Sequence, residues 1–340
     1  MPRTPTSSLA SPPTRQRAST RTPDILAQLD TIERGSGDGI LAFGRGVTLP
    51  VSSLDRPVWP RDGITKGALM RYYACVAPAL LPLLKDRPLV LERHPRGVMG
   101  PAFHQHAPSE NTPPSVRTAD VEMDDGSTEP RFIGGDLPTL LYTVQLGAIA
   151  VNPWHARIGH FEHPDYMVLD LDPMPRVPAS RIIRLARIVS EQLMSLGLRH
   201  GLKTSGSRGI HLVVPLPART TWATSATLAE RVATAVAEAH PEMATVERRL
   251  AERPKGSIYI DHRQNGRGQT LVATWSVRAK AGAPVSTPVT CAELESGEAD
   301  PRGWTVKTIP DQLAERKRTW AAAFRGGNDA ATVKAALRGR

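Results

Sequence analysis

Residues 166–175 read YMVLDLDPMP. Met167, Val168, Leu169 and Leu171 suit a core strand, and Pro173 ends it. Side chains two apart on a strand share a face. Asp170 and Asp172 therefore stand side by side at the strand's exposed end, with Leu171 turned inward. Clustered carboxylates repel unless a cation lies between them. Mg²⁺ and Mn²⁺ take oxygen ligands, and two such ions about 4 Å apart can clamp the attacking and leaving oxygens of a phosphoryl transfer. A lone Asp-x-Asp equally describes two solvated acids.

A third acid repeats the grammar. SIYID (257–261) is another apolar strand ending in a carboxylate, and Asp261 could complete a metal cage from a neighbouring strand or simply cap a turn. Between the acids lies KTSGSRGIHLVVPL (203–216). Ser205, Gly206, Ser207 and Gly209 predict a tight loop rich in N–H and hydroxyl donors, the kind that cradles phosphate oxygens. Lys203 and Arg208 add charge-assisted contacts. His211 by itself reads as a satisfied core histidine; beside this loop it reads as a phosphate contact. Gln264, Arg267 and Arg278 follow, with Arg278 a candidate triphosphate clamp. His104/His106 and His160/His163 lack partnering cysteines or a helical frame and read as loop histidines. Trp222, Trp304 and Trp320 read as packing residues.

The elements that must hold these residues can be read in outline. A short helix is predicted near 24–33, then a strand or hairpin over 41–53. The helix over 64–84 has Thr65 as its N-cap. A strand over 87–95 leads into a Pro- and Gly-broken loop over 96–118, and 136–154 opens as a helix and closes as a strand. From 166 on, strand, helix (179–198), Gly/Ser loop, strand (210–216) and helix (about 224–240) alternate. Strands 257–261 and 270–280 form an apparent hairpin, and a closing helix covers 309–326. The fold class is α+β: mixed β-sheets flanked by helices, with a palm carrying the acids. The expected organisation is a disordered basic tail (1–22), an N-terminal α/β part (23–155), a palm-like part (156–325) and a flexible C-terminal tail (326–340).

Composition narrows the class. The 340-residue chain carries a formal net charge of +10 and a pI of about 10.0, which favours an anionic partner, nucleic acid first. Cys75 and Cys291 are its only cysteines, so neither a disulfide framework nor a paired Cys-x-x-Cys zinc site is expected, and a reducing cytoplasm fits. Cys75 reads as a buried thiol. No unbroken run of about 18 apolar residues exists and the start lacks an apolar signal core, so no membrane role is expected.

Together, DYMVLDLDP, LKTSGSRGIHL, YIDHRQNGRGQTLVATWSVRAKAGAPVSTP, WPRDGITKGALMRYYACVAPALLP and RPLVLERHPRGVMGPAFHQHAP resemble the polymerase domain of bacterial ATP-dependent DNA ligase D, a branch of the archaeo-eukaryotic primase superfamily. The similarity covers roughly residues 24–320. It implies a primase-like core with an RRM-like palm, and gap filling or end extension in bacterial non-homologous end joining. It assigns Asp170, Asp172 and Asp261 to two Mn²⁺ or Mg²⁺ ions, and Ser205, Arg208, His211, Gln264 and Arg278 to the incoming nucleoside triphosphate. Arg56 and Lys66 match binders of a DNA 5′-phosphate, and Phe103 an aromatic that stacks on a base. It further implies ribonucleotide choice, a Mn²⁺ preference and a nucleoid-associated cytoplasmic location. Several members have Lys where Arg56 and Arg208 stand, a second loop aromatic where His104 stands, or His where Asn152 stands. The ligase adenylation motif Lys-x-Asp-Gly is absent, so a stand-alone polymerase working with Ku and a separate ATP-dependent ligase is expected. The alternatives are a primase that starts chains de novo, a catalytically dead end-binding module and a haloacid-dehalogenase-type phosphatase. The last also ends a strand in Asp-x-Asp, but wants Thr or Val after the second Asp, where Pro173 and Met174 stand.

Overall fold

The computed structural model describes residues 22–123 and 125–338. The basic tail expected over 1–22 falls, apart from Thr22, outside them.

The first half gathers helices around a small sheet. Helix α1 (Thr22–Arg34) packs on α2 (Lys66–Leu84), whose N-cap Thr65 accepts the Ala68 N–H at 3.1 Å. Between them run two short hairpins: β1 (Gly39–Ala42) with β2 (Thr48–Val51), and β3 (Pro57–Trp59) with β4 (Ile64–Thr65). Helix α2 is the one described helix long and apolar enough to cross a membrane, yet it is largely buried within the fold.

The first large sheet is built on β5 (Pro88–Arg93). It pairs with β6 (Phe103–Gln105), with β8 (Thr128–Ile133) of the β7 (Thr118–Glu122)/β8 hairpin, and with β9 (Ala148–Pro153). Strand β6 interrupts the stretch expected to be loop. Helix α3 (Leu137–Gln145) precedes β9 and is capped by Asp136, which accepts the Thr139 N–H.

The second sheet has six strands in the order β13-β14-β10-β12-β11-β15. They are β10 (Tyr166–Pro173), β11 (Gly201–Thr204), β12 (Ile210–Pro215), β13 (Ala244–Thr245), β14 (Ile258–Asp261) and β15 (Pro288–Val289). Only β13 and β14 run parallel. Alternation sorts the two faces. Leu169, Leu171, Leu212 and Ile260 turn back against α4 (Ala179–Ser195) and α5 (Trp222–Ala239), whose Leu185, Val189, Leu228 and Val232 are wholly or almost wholly buried. Burying each such side chain contributes about 1.5–3 kcal/mol. The front face carries Val168 and Val213, against which Trp320 and Phe324 at the end of α7 (Ile309–Ala323) pack. One continuous core runs through both sheets.

Four expectations are corrected. Residues 270–280 form no strand and no hairpin with β14. Trp275 has φ of +73°, and the N–H groups of Ala273, Trp275 and Arg278 go to Val151, Ser286 and Pro284. A left-handed turn at a buried tryptophan breaks the ladder despite the strand-like composition. The C-terminal segment is not a loose tail: it forms α8 (Ala330–Arg338) and buries Val333 and Ala336, while the Asn328 amide donates to Arg199 and Pro215 carbonyls. Residues 201–204, expected as loop, are strand β11. Cys75 is half-buried rather than buried.

Candidate active site

Antiparallel pairing sets the acids in register. Asp170 of β10 lies directly opposite Asp261 of β14 on one side and His211 of β12 on the other, and His211 lies opposite Lys203 of β11. One transverse row on the front face therefore reads Asp261, Asp170, His211, Lys203. Directly paired residues point to the same face with Cβ atoms about 4.5–5.5 Å apart. Asp172 stands two residues along from Asp170 on that face, opposite Tyr259.

Each acid is held by specific partners. The His211 Nε2 is 3.2 Å from Asp170 Oδ1. Burial alone would raise the Asp170 pKa, but the His211 contact and the Lys203 and Arg278 charges hold it below the ordinary carboxylate value. Asp172 moves the other way: burial and then the Asp170 charge raise it, against Arg253 and Arg208. Asp261 accepts from the Tyr259 hydroxyl at 3.2 Å, the Gln264 amide at 3.1 Å and the Arg263 N–H at 2.9 Å. Burial, and next the Asp261 charge, push the Tyr259 phenol up to about 12.

Asp170, His211, Gln264 and Arg278 line one cavity of about 250 Å³. Its far wall is β5 and β9: Val90, Glu92 and Asn152, joined by His104 from β6. The loop after β11 closes one end. Gly206 has φ of +66°, and a Cβ there would lie 2.9 Å from Arg278 Cγ and from the Val285 carbonyl carbon; only glycine lets Arg278 cross so close. The loop is less open in donors than expected. The N–H groups of Ser207 and Gly209 both donate to Ser205 Oγ, so Ser205 locks the turn. Arg208 is exposed at its tip. Arg278 Nη1 donates to the Ser205 carbonyl at 3.3 Å. Lys203 differs most from expectation: its amine is buried and turned into the sheet rather than toward the loop.

Arg56 and Lys66 meet elsewhere, in a second cavity of about 280 Å³ with Ser52, Arg93 and Gln145. Lys66 Nζ donates to the Ser52 carbonyl at 2.7 Å. Burial, then the Arg56 charge, lower its pKa to about 8. Strand β5 and its partner β6 separate the two cavities. Glu92 and its partner His104 face the acidic one, while Arg93 lies in the other with its guanidinium 5.0 Å from the centroid of its partner Phe103. Phe103 is 47% exposed.

Sequence reasoning missed Arg253, Glu92 and Arg93 and misplaced His104. Arg253 stacks 4.0 Å over Tyr259 and reaches Asp172 Oδ2 at 3.3 Å. It sits in a charged loop with no periodic signal. Arg93 and Glu92 were visible only as the polar end of a strand.

The donor set suits a hard divalent cation: oxygen ligands only, on one face, with Asp172 raised by burial and then by the Asp170 charge. Among the described residues no three acidic, histidine or cysteine side chains converge on a ready-made cage. The oxygens point instead at Arg253, Tyr259, Gln264 and His211.

A palm sheet with paired acids beside a Gly/Ser loop and an arginine defines the polymerase class of nucleotidyltransferase. Residues 65–320 match the LigD primase-polymerase domain, and the chain belongs to that family. It is 34% identical over 284 residues to the multifunctional non-homologous end joining protein LigD of Pseudomonas aeruginosa, covering 83% of this chain and 34% of that protein. The corresponding protein of Mycobacterium tuberculosis is 32% identical over 254 residues, covering 72% and 33%. The chain thus spans about a third of the length of these relatives. The solved polymerase domain from Mycobacterium tuberculosis ligase D in complex with DNA superposes with a TM-score of 0.73 at 28% identity, covering 82% of this chain and 99% of that one. The family uses divalent metal ions.

Proposed function

We propose that this protein is a template-directed polymerase that fills gaps and extends ends during bacterial non-homologous end joining. The reading rests above all on the row Asp261, Asp170, His211 across three strands, beside a cavity that Arg278 enters. Asp170, Asp172 and Asp261 would hold two Mn²⁺ or Mg²⁺ ions, which when bound lower the pKa of a primer 3′-hydroxyl and screen the leaving pyrophosphate.

The chain's own groups supply position and charge. Arg278 and the exposed Arg208 contact triphosphate oxygens, and His211 offers its Nε2–H beside Asp170. The Ser205 hydroxyl, accepting two loop N–H bonds, fixes where Arg208 begins. Gln264 orients Asp261. In the second cavity Arg56 and Lys66, with Arg93, hold the 5′-phosphate of a DNA gap or end, and Phe103 stacks on a base at the partition between the two sites. That the similar ligase D domain was solved with DNA supports DNA as the partner of this chain. Favoured ribonucleotides, a Mn²⁺ preference and a cytoplasmic, nucleoid-associated setting belong to the same proposal, as do a Ku-type end binder and an ATP-dependent ligase as partners.

The test is primer extension on gapped, 5′-phosphorylated DNA, comparing ribo- with deoxynucleotides and Mn²⁺ with Mg²⁺. Asp170→Ala or Asp172→Ala should abolish nucleotide addition while DNA binding survives. Extension near the parent rate in either variant would refute the metal assignment. Synthesis on unprimed single-stranded template would favour the primase reading.

A further inference from the structure

Lys203 is the inner end of the catalytic row. It and His211 are each 2% exposed and lie opposite one another on β11 and β12. The Lys203 amine has three neighbours within hydrogen-bond distance: His211 Nδ1 at 2.8 Å, the Val272 carbonyl at 2.9 Å and Ser286 Oγ at 2.8 Å. The Ser286 hydroxyl donates its own hydrogen to the Thr204 carbonyl at 2.8 Å, so it can only accept from Lys203. The Val272 carbonyl can only accept.

Burial, opposed by the Asp170 charge and aided by that of Arg278, pulls the Lys203 amine well below the ordinary lysine value, but its three acceptors match the three hydrogens of an ammonium. A neutral amine has two hydrogens and a lone pair. Accepting a hydrogen from His211 Nδ1, it would either leave a bare Nε2 facing the Asp170 carboxylate, two acceptors in repulsion, or require a doubly protonated ring that burial disfavours. From this arrangement we infer that Lys203 is a positioning residue that donates to His211 Nδ1 and so fixes the imidazole with its hydrogen on Nε2, aimed at Asp170 and the nucleotide. Lys203 touches neither substrate nor metal. It removes the choice between two tautomers and two ring flips that a histidine on an open sheet face would keep. The Val272 contact also joins this anchor to the segment that walls the nucleotide cavity.

The inference rests on the nucleotide-site reading of His211, and two readouts separate the pair. The first is a double-mutant cycle on single-nucleotide addition to gapped DNA. Lys203→Met should lower kcat/KM for the nucleotide about 10- to 100-fold, the scale of a lost charge-assisted hydrogen bond, while binding of 5′-phosphorylated ends stays at the parent level. In a His211→Ala background the same substitution should add no further loss. The second is nitrogen NMR of the full chain labelled with ¹⁵N-histidine, which needs no activity. His211 should show the Nε2-protonated tautomer in the parent and a mixture in Lys203→Met. Ser286→Ala keeps the lysine, removes one of its acceptors and should move both readouts the same way by a smaller amount, which guards against a Lys203→Met chain that fails to fold. Multiplicative losses in the double variant, or an Nδ1-protonated His211 in the parent, overturn the inference. A parent-like rate for His211→Ala overturns the nucleotide-site reading instead, and the tautomer still decides the Lys203 linkage.

Discussion

Gly209 lies where β12 begins, one residue before the ladder partner of Leu171. A Cβ built there would sit 2.5 Å from the Leu171 carbonyl oxygen, with Asp170 Oδ1 a further 3.5 Å neighbour. Carbon and carbonyl oxygen come no closer than about 3.3 Å in comfortable contact, so in Gly209→Ala strand β12 must withdraw from β10 by about 1 Å. That displacement falls on the two strands that hold Asp170 and His211. Misplacing reacting groups by about 1 Å costs on the order of 100-fold in rate. Overpacking of this kind costs about 1–3 kcal/mol, within the usual stability of about 5–15 kcal/mol, so the chain stays folded. Gly209→Ala should therefore lose about 100-fold in kcat/KM for nucleotide addition, with a modest fall in Tm and unchanged binding to 5′-phosphorylated ends, whose cavity lies across β5. Gly266→Ala, where the added Cβ would make an ordinary 3.4 Å contact with Gln269, is the control and should behave as the parent. A Gly209→Ala enzyme within about threefold of the parent would show that the spacing of β10 and β12 does not set the acid row.

Two further outcomes follow from the second cavity. If Lys66 holds the 5′-phosphate as proposed, it does so as a cation, and its pKa of about 8 in the free protein means that preference for 5′-phosphorylated over 5′-hydroxyl ends should fall as pH rises through about 8; a titration of end binding by fluorescence anisotropy checks this, and a flat preference would contradict it. Phe103 is half-exposed and contributes little to the core, so Phe103→Ala should leave Tm nearly unchanged while weakening gapped-DNA binding by about tenfold, since one stacked base contributes about 1–3 kcal/mol.

The site was readable where a strand grammar carried it. Two apolar strands ending in Asp170/Asp172 and Asp261 announced a shared face, because period-2 alternation leaves no other place for those carboxylates. The tight turn after β11 was readable from Gly206 and Gly209, though not that Ser205 Oγ takes up its N–H donors, and helix α2 was readable from Thr65. What escaped depends on partners remote in sequence. Nothing local distinguishes a lysine aimed at phosphate from one aimed inward, and Lys203 turns inward because Val272 and Ser286, some 70 and 80 residues away, present acceptors to it. Arg253 sits in a charged loop without periodicity, and its pairing with Asp172 exists only because the loop folds back over Tyr259. Residues 270–280 have strand composition, but Trp275 turns left-handed. Helix α8 was readable in hindsight, since Val333 and Ala336 recur at helical spacing, yet its basic, chain-terminal setting masked them.

On the proposed function, carboxylates from β10 and β14 act together on divalent ions beside a bound nucleotide. Titrating Mn²⁺ by electron paramagnetic resonance, with a non-hydrolysable nucleoside triphosphate analogue present, tests it without relying on turnover. The parent should saturate at two ions per chain, and both Asp170→Asn and Asp261→Asn should clearly lose tight binding. Unchanged Mn²⁺ binding in either variant would contradict it.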